Sequence, residues 1–222
     1  MKKCLFPLVF LFLMTTFSSC LTIYEKYTIN KDGSGSFEYI IDMSELYSLL
    51  ESMAGETDME GIEKTDINES FREMIPELRT IEGISNAQVK GDTDKYIFGI
   101  SFDFSDDEAL NRAMDLILDD KNSENQKYVE IKRKKFIRFH KTSSDFSKEA
   151  LLGEDDVSDE SIMLGVLEGM KYRIEVNLPR KIKTIETKAE IIREDKNLVV
   201  IEANFNSLLE DVEHLKTFVK TK

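Results

Sequence analysis

The chain is poor in the residues that most chemistry needs. It has two cysteines, two histidines and no tryptophan in 222 residues. Cys4 lies in the apolar leader, so an exported body would carry Cys20 alone and no internal disulfide, even in an oxidising compartment. With only His140 and His214, no His-Glu-x-x-His zinc pair can be written, and a Ser-His-acid site has little to draw on. No Gly-x-Ser-x-Gly elbow and no glycine-rich phosphate loop occurs. Without tryptophan, the core must come from phenylalanine, isoleucine and leucine. No apolar run approaches the roughly 20 residues that a membrane-crossing helix needs; Leu5 to Met14 is the longest near the start, and Pro7 interrupts it.

Positive charge is also scarce. Thirty lysines and arginines face 43 acids, a formal charge of −13. Such a surface repels phosphate backbones, so broad nucleic-acid binding is not expected.

The first twenty residues organise the rest. Lys2 and Lys3 precede the short apolar run, and Thr15 to Ser19 supply small residues before Cys20. This is the layout of a secretory signal. The small residues directly before Cys20 resemble the lipobox of bacterial lipoproteins, with Phe17 where that pattern has leucine and Ser19 where it has glycine or alanine. The resemblance implies cleavage after residue 19, diacylglyceryl transfer to the Cys20 thiol and a membrane partner held through that lipid. More than one acyl chain gives lasting attachment. Leu21 and Thr22 follow the cysteine rather than the aspartate known as an inner-membrane retention mark in enterobacterial lipoproteins. The outer membrane, facing the periplasm, is therefore the expected location, ahead of the inner membrane or cell surface.

Period-two alternation then marks strands. Ile23, Tyr27 and Ile29 share one side of the first, and Phe37, Tyr39, Ile41 and Met43 share one side of the second. Asn30 to Gly35 joins them as an Asp-Gly turn. Asn30, Asp32, Ser34 and Gly35 echo calcium-loop positions, but Ile41 stands where the final carboxylate is required, so no metal site is assigned. Asp42 opens a helix carrying Leu46, Leu49, Leu50 and Met53. A second helix is expected over Glu69 to Thr80, kinked or divided by Pro76.

Tyr96, Phe98, Ile100, Phe102 and Phe104 align along one strand face. Ser105 to Glu108 reads as a capping box for a helix burying Ala109, Leu110, Ala113, Met114, Ile117 and Leu118. Tyr128 to Arg133 and Lys135 to Lys141 form a further hairpin. Residues 143–160 read as an acidic linker, its run from Glu154 to Glu160 a solvated charge cluster.

Strands are expected at Tyr172 to Leu178, Thr184 to Glu194 and Leu198 to Phe205. A terminal helix from Ser207 would carry Leu208, Val212, Leu215 and Val219. Leu178-Pro179, the basic continuation at Arg180 to Lys183 and the following hairpin resemble the carboxyl part of LppM-type lipoprotein ectodomains. That resemblance implies an α/β fold likened to lipid-binding proteins, and it carries no site residue over.

The expected whole is one α+β ectodomain over residues 20–222: an antiparallel sheet built from hairpins, with helices packed on one face. The single basic island is the candidate contact for an anionic partner, namely Lys132, Arg133, Lys134, Lys135 and Arg138, with Lys141 and His140 beside them. The competing reading is lysine protection of an exposed hairpin edge. No catalytic residue, metal site or cofactor is assigned. A non-catalytic binding or scaffold lipoprotein is the expected function, its ligand an envelope protein or lipid. An envelope hydrolase or transferase with a carboxylate pair that meets only in space is the alternative.

Overall fold

A computed structural model of the chain describes residues 21–48, 64–118, 127–139 and 169–222. Strand β1 (Thr22–Ile29) begins two residues beyond Cys20, and β2 (Gly35–Asp42) returns beside it. The turn closes through its own side chains: Asp32 Oδ1 accepts from the backbone and hydroxyl of Ser34, and Asn30 Nδ2 donates to Ser34 Oγ. These are the groups that resembled calcium ligands, and here they satisfy one another. The Asp42 carboxylate likewise accepts from Ser44 and starts the helical residues 44–48. Leu49, Leu50 and Met53 lie outside the described residues.

Helix α1 (Lys64–Leu78) is one helix rather than two. Pro76 falls in its last turn, where a single missing donor interrupts little of the ladder. Phe71, Ile75 and Leu78 are buried, as their spacing predicts. The long hairpin of β3 (Ile84–Asp92) and β4 (Ile97–Phe104) follows. Phe98, Ile100, Phe102 and Phe104 form its buried row. Tyr96 leaves that row: it sits at φ 56° in the turn, and its ring stacks on Tyr47 at 3.3 Å. Helix α2 (Asp107–Ile117) is capped by Asp106, which accepts from Ala109, and buries Ala109, Leu110, Ala113, Met114 and Ile117.

The remaining strands are β5 (Val129–Lys132), β6 (Lys135–Arg138), β7 (Lys171–Asn177), β8 (Ile182–Thr187), β9 (Glu190–Glu194), β10 (Leu198–Asn204) and β11 (Thr217–Thr221), with a short helix α3 (Phe205–Glu210) before the last. They build two sheets rather than one. The larger runs β3-β4-β2-β1-β7-β10-β9 and the smaller β5-β6-β11-β8. All pairings are antiparallel except β1 with β7, so the fold is mostly sheet and the larger sheet is mixed, largely antiparallel.

One face of the larger sheet is covered. Helix α1 reaches it through Phe71 against Tyr39, and the smaller sheet reaches it through Phe136 against Tyr27. The covered rows run straight across the strands: Phe102, Phe37, Tyr27, Val176 and Val199 in one, and Ile100, Tyr39, Glu25, Ile174 and Ile201 in the next.

Two expected elements differ. The strand from Thr184 to Glu194 is two strands in different sheets, β8 in the smaller and β9 in the larger. The chain crosses at Lys188, whose ammonium is held by Asp211 and Glu213. The terminal helix is absent beyond residue 210. Asn204, not Ser207, caps α3; Asp211 is extended at φ −157° and starts a 3-10 turn over Val212–Leu215. Strand β11 then places Thr217, Val219 and Thr221 inward, all buried. β-branched residues at every second position favour a strand over a helix here.

Candidate functional site

The hairpin β5–β6 turns on two residues, Arg133 and Lys134, between the paired Lys132 and Lys135. Along β6 the side chains alternate. Phe136 and Arg138 point inward and are wholly buried, while Lys135 and Ile137 point outward. Arg138 therefore leaves the group of surface cations in which its sequence neighbours place it. Strand parity, not local charge, decides its direction.

Inside, Arg138 meets Glu25, the one charge on the covered face of β1. Arg138 Nη2 donates to Glu25 Oε1 at 2.6 Å and Nε to Oε2 at 3.1 Å, a two-pronged pair. Tyr27 donates to Glu25 Oε2 at 2.7 Å, Tyr172 donates to Oε1, and an Arg138 Nη1 bonds the Phe139 carbonyl. Burial pushes the Glu25 carboxyl upward, but the Arg138 charge and the three hydrogen-bonding groups outweigh it and hold the carboxyl below its ordinary value. The tyrosine hydroxyls of 27 and 172 are pushed far up by burial and then by the Glu25 charge. A fully enclosed, fully satisfied cluster of this kind ties two sheets together.

The outward lysines assemble differently. Lys132 faces Lys135 across the hairpin, and Lys135 faces Lys220 on β11, so three lysines form one cross-strand row on the outer surface of the smaller sheet. All three are exposed. The backbone of Thr221 donates to the Lys134 carbonyl and that of Lys222 to the Lys181 carbonyl, which brings the basic stretch at 180–183 beside the same end. A cleft of about 150 Å³ runs between this hairpin and the β1–β2 turn, lined by Lys31, Asp32, Lys132, Arg133, Lys135 and the Leu178-Pro179 step.

Pairing separates this end from two other hollows of the described surface. Lys132 is paired with Glu130. Among the described residues, no carboxylate lies within ion-pair distance of Arg133, Lys134, Lys135 or Lys220. Cations lining two other surface hollows are engaged: Lys90 with Glu38, Arg79 with the Ala87 carbonyl, Lys171 with Glu202, and Lys188 with Asp211 and Glu213.

The edge of the hairpin is covered by helix α2 rather than by lysines. Asn111 Oδ1 accepts from the backbones of Tyr128 and Val129, Asn111 Nδ2 donates to the Val129 carbonyl, and Asp107 Oδ2 accepts from Ile131. Strand β6 pairs on both sides. Edge protection thus does not account for Lys135, while on β5 the contacts from α2 already occupy the edge up to Ile131, one residue before Lys132.

Sequence reasoning found the hairpin cations but missed Glu25 and Lys220. Glu25 was legible as a charge interrupting the apolar set Ile23, Tyr27 and Ile29. Lys220 was not, because only strand pairing brings it to Lys135. Cys20, His140, Lys141 and the acids from Glu154 to Glu160 lie outside the described residues.

No protein-family model matches the chain, and no curated protein matches it. Among solved structures, it is similar to the NMR structure of the folded domain of LppM from Mycobacterium tuberculosis, at 10% identity and a TM-score of 0.42, over 92% of this chain and 91% of that one. Among the described residues, no helix is long and apolar enough to cross a membrane.

Proposed function

We propose that the chain is an envelope lipoprotein held to a bilayer through lipid on Cys20, and that its folded body is a non-catalytic binding or scaffold module. The observation that carries this reading is the position of β1. Only Leu21 separates Cys20 from Thr22, and β1 is the fourth of seven strands in the larger sheet. The Leu21 carbonyl already accepts from Lys171 at the start of β7. An acylated Cys20 would therefore hold the fold by its central strand, with no linker to absorb motion. The residues after Cys20 favour the outer membrane, periplasmic face.

The hydrolase or transferase alternative draws no support from Glu25, whose carboxylate is committed to Arg138 and two tyrosines. Intact-mass analysis of the native protein tests the anchor. The expected species lacks residues 1–19 and carries a diacylglyceryl group, with or without a further acyl chain, on Cys20. A free Cys20 thiol or a retained leader would overturn the proposal.

A further inference from the structure

We infer that the exposed end of the smaller sheet, centred on Lys132, Lys135 and Lys220, docks a polyanionic polymer, a chain bearing repeated phosphate or carboxylate groups. The inference deepens the binding-module reading above and names the chemistry of its partner.

Strand register supplies the first argument. Like charges directly opposite each other across strands are unfavourable, and here three stand in one row. Only the outermost, Lys132, is neutralised, by Glu130. The chain has 43 acids against 30 bases and uses them to pair cations in its other hollows. Among the described residues, Arg133, Lys134, Lys135 and Lys220 have no carboxylate within ion-pair distance, unlike the cations of those two hollows. The edge of β5, which could have explained lysines here, is already covered by Asn111 and Asp107.

Convergence supplies the second. Lys31 comes from the β1–β2 turn, Lys132 to Lys135 from the β5–β6 turn, Lys181 and Lys183 from the start of β8 and the residue before it, and Lys220 from the last strand. Four separate stretches bring cations to one end. Among the described residues, the acids bordering it include Asp32, Asp107, Glu130 and Glu186; Asp107 accepts from the Ile131 backbone. Asp32 is tied to Ser34 and Glu130 to Lys132, while Glu186 lies opposite Phe218 in the neighbouring row.

Shape selects the occupant. The cleft is small and the cations spread beyond it over an open strand surface. Lysines are mobile point charges, and a row of them matches repeated charge along a chain better than one enclosed anion. A bilayer fits less well. Among the described residues, the exposed large apolar side chains are Ile191, Ile192 and Leu209, on β9 and α3, and none lies in the basic row or its turn. The cluster also sits at the Ile29 end of the eight-residue β1, about 23 Å from its Thr22 end at a rise of roughly 3.3 Å per residue. With the lipid on Cys20, that end points away from the anchoring membrane.

The test titrates the full chain, in nonionic micelles, with long-chain polyphosphate across a salt series. Binding that weakens linearly in log salt is expected. Lys135→Glu with Lys220→Glu should weaken it at least tenfold and flatten the salt slope by about two. Lys95→Glu with Lys216→Glu makes the same change in net charge elsewhere and should alter affinity less than threefold. Lys135→Gln with Lys220→Gln relieves the row's repulsion, so it should fold at least as well as the parent and still lose binding. Equal loss in the two Glu pairs, retained binding in the Gln pair, or no binding by the parent would overturn the inference. So would displacement of polyphosphate by equimolar inorganic phosphate, or binding confined to phosphatidylglycerol vesicles. Polyphosphate binding by Cys20→Ala separates this inference from the anchor, because it survives loss of the lipid.

Discussion

Glu25 and Arg138 stand 113 positions apart and meet as a buried pair at 2.6 Å, joining the central strand of the seven-stranded sheet to the four-stranded one. Neither side chain retains solvent exposure. Removing one partner strands the other charge in the core, whereas replacing both with apolar side chains removes the desolvation cost together with the attraction. Glu25→Gln is therefore expected to cost about 3–5 kcal/mol of folding stability. Glu25→Leu with Arg138→Met should recover most of that loss, less about 1–3 kcal/mol for leaving the Tyr27 and Tyr172 hydroxyls without their acceptor. Denaturant unfolding of the wild type and the two variants measures both numbers. A double variant as unstable as Glu25→Gln would show that the pair is worth more than the space it fills.

The same pair sets an acid limit. Burial alone would raise the Glu25 carboxyl, and Arg138 with its neighbours reverses the sign, so the native value lies below that of an unfolded glutamate, about 4.3. A depressed native value stabilises the fold above the unfolded value, and that stability drains as pH falls through the native one. Wild type should hold its stability from neutral pH to about 4.5 and lose it steadily below, by this linkage. Asp106 and Glu202 shift in the same direction, the first through the Ala109 amide and Ser105, the second against burial through Arg173 and Lys171. Unfolding midpoints of Glu25→Leu with Arg138→Met, measured between pH 7 and 3, isolate the Glu25 share. A smaller acid loss in that variant is expected; parallel curves would assign the acid limit to the other carboxylates.

How far local pattern reaches is visible in particular residues. The β1–β2 hairpin was legible because its two alternating runs flank an Asp-Gly turn, and α2 because its apolar spacing has a single period. The crossing at Lys188 was not. Ile185, Ala189 and Ile191 keep one parity through the switch from β8 to β9, so alternation cannot report a change of sheet. The last segment satisfied two periods at once: Leu208, Val212, Leu215 and Val219 suit a helix, while Thr217, Val219 and Thr221 suit a strand. Pairing with β6 and β8 decided between them. Arg138 shows the opposite case. Its parity with Phe136 already directed it inward, and its membership of a basic run concealed that.

Asn111 offers the sharpest local test of how the basic hairpin is held. One side chain serves three backbone groups at the start of β5 and the residue before it, accepting from Tyr128 at 2.6 Å and Val129 at 3.1 Å and donating to the Val129 carbonyl at 2.9 Å. Asn111→Ala leaves those groups to water or to another strand, and should cost about 1–3 kcal/mol. It should also speed amide exchange at Tyr128 and Val129 while sparing Ile131, which Asp107 holds. Asp107→Ala should do the reverse. Asn111→Asp keeps the acceptor and loses the donor, so it should fall between wild type and alanine. If the opened edge recruits a second chain, Asn111→Ala will also self-associate as concentration rises, as an uncovered strand edge does. Uniform exchange at all three amides in every variant would mean that the hairpin opens as a unit, with α2 only resting against it.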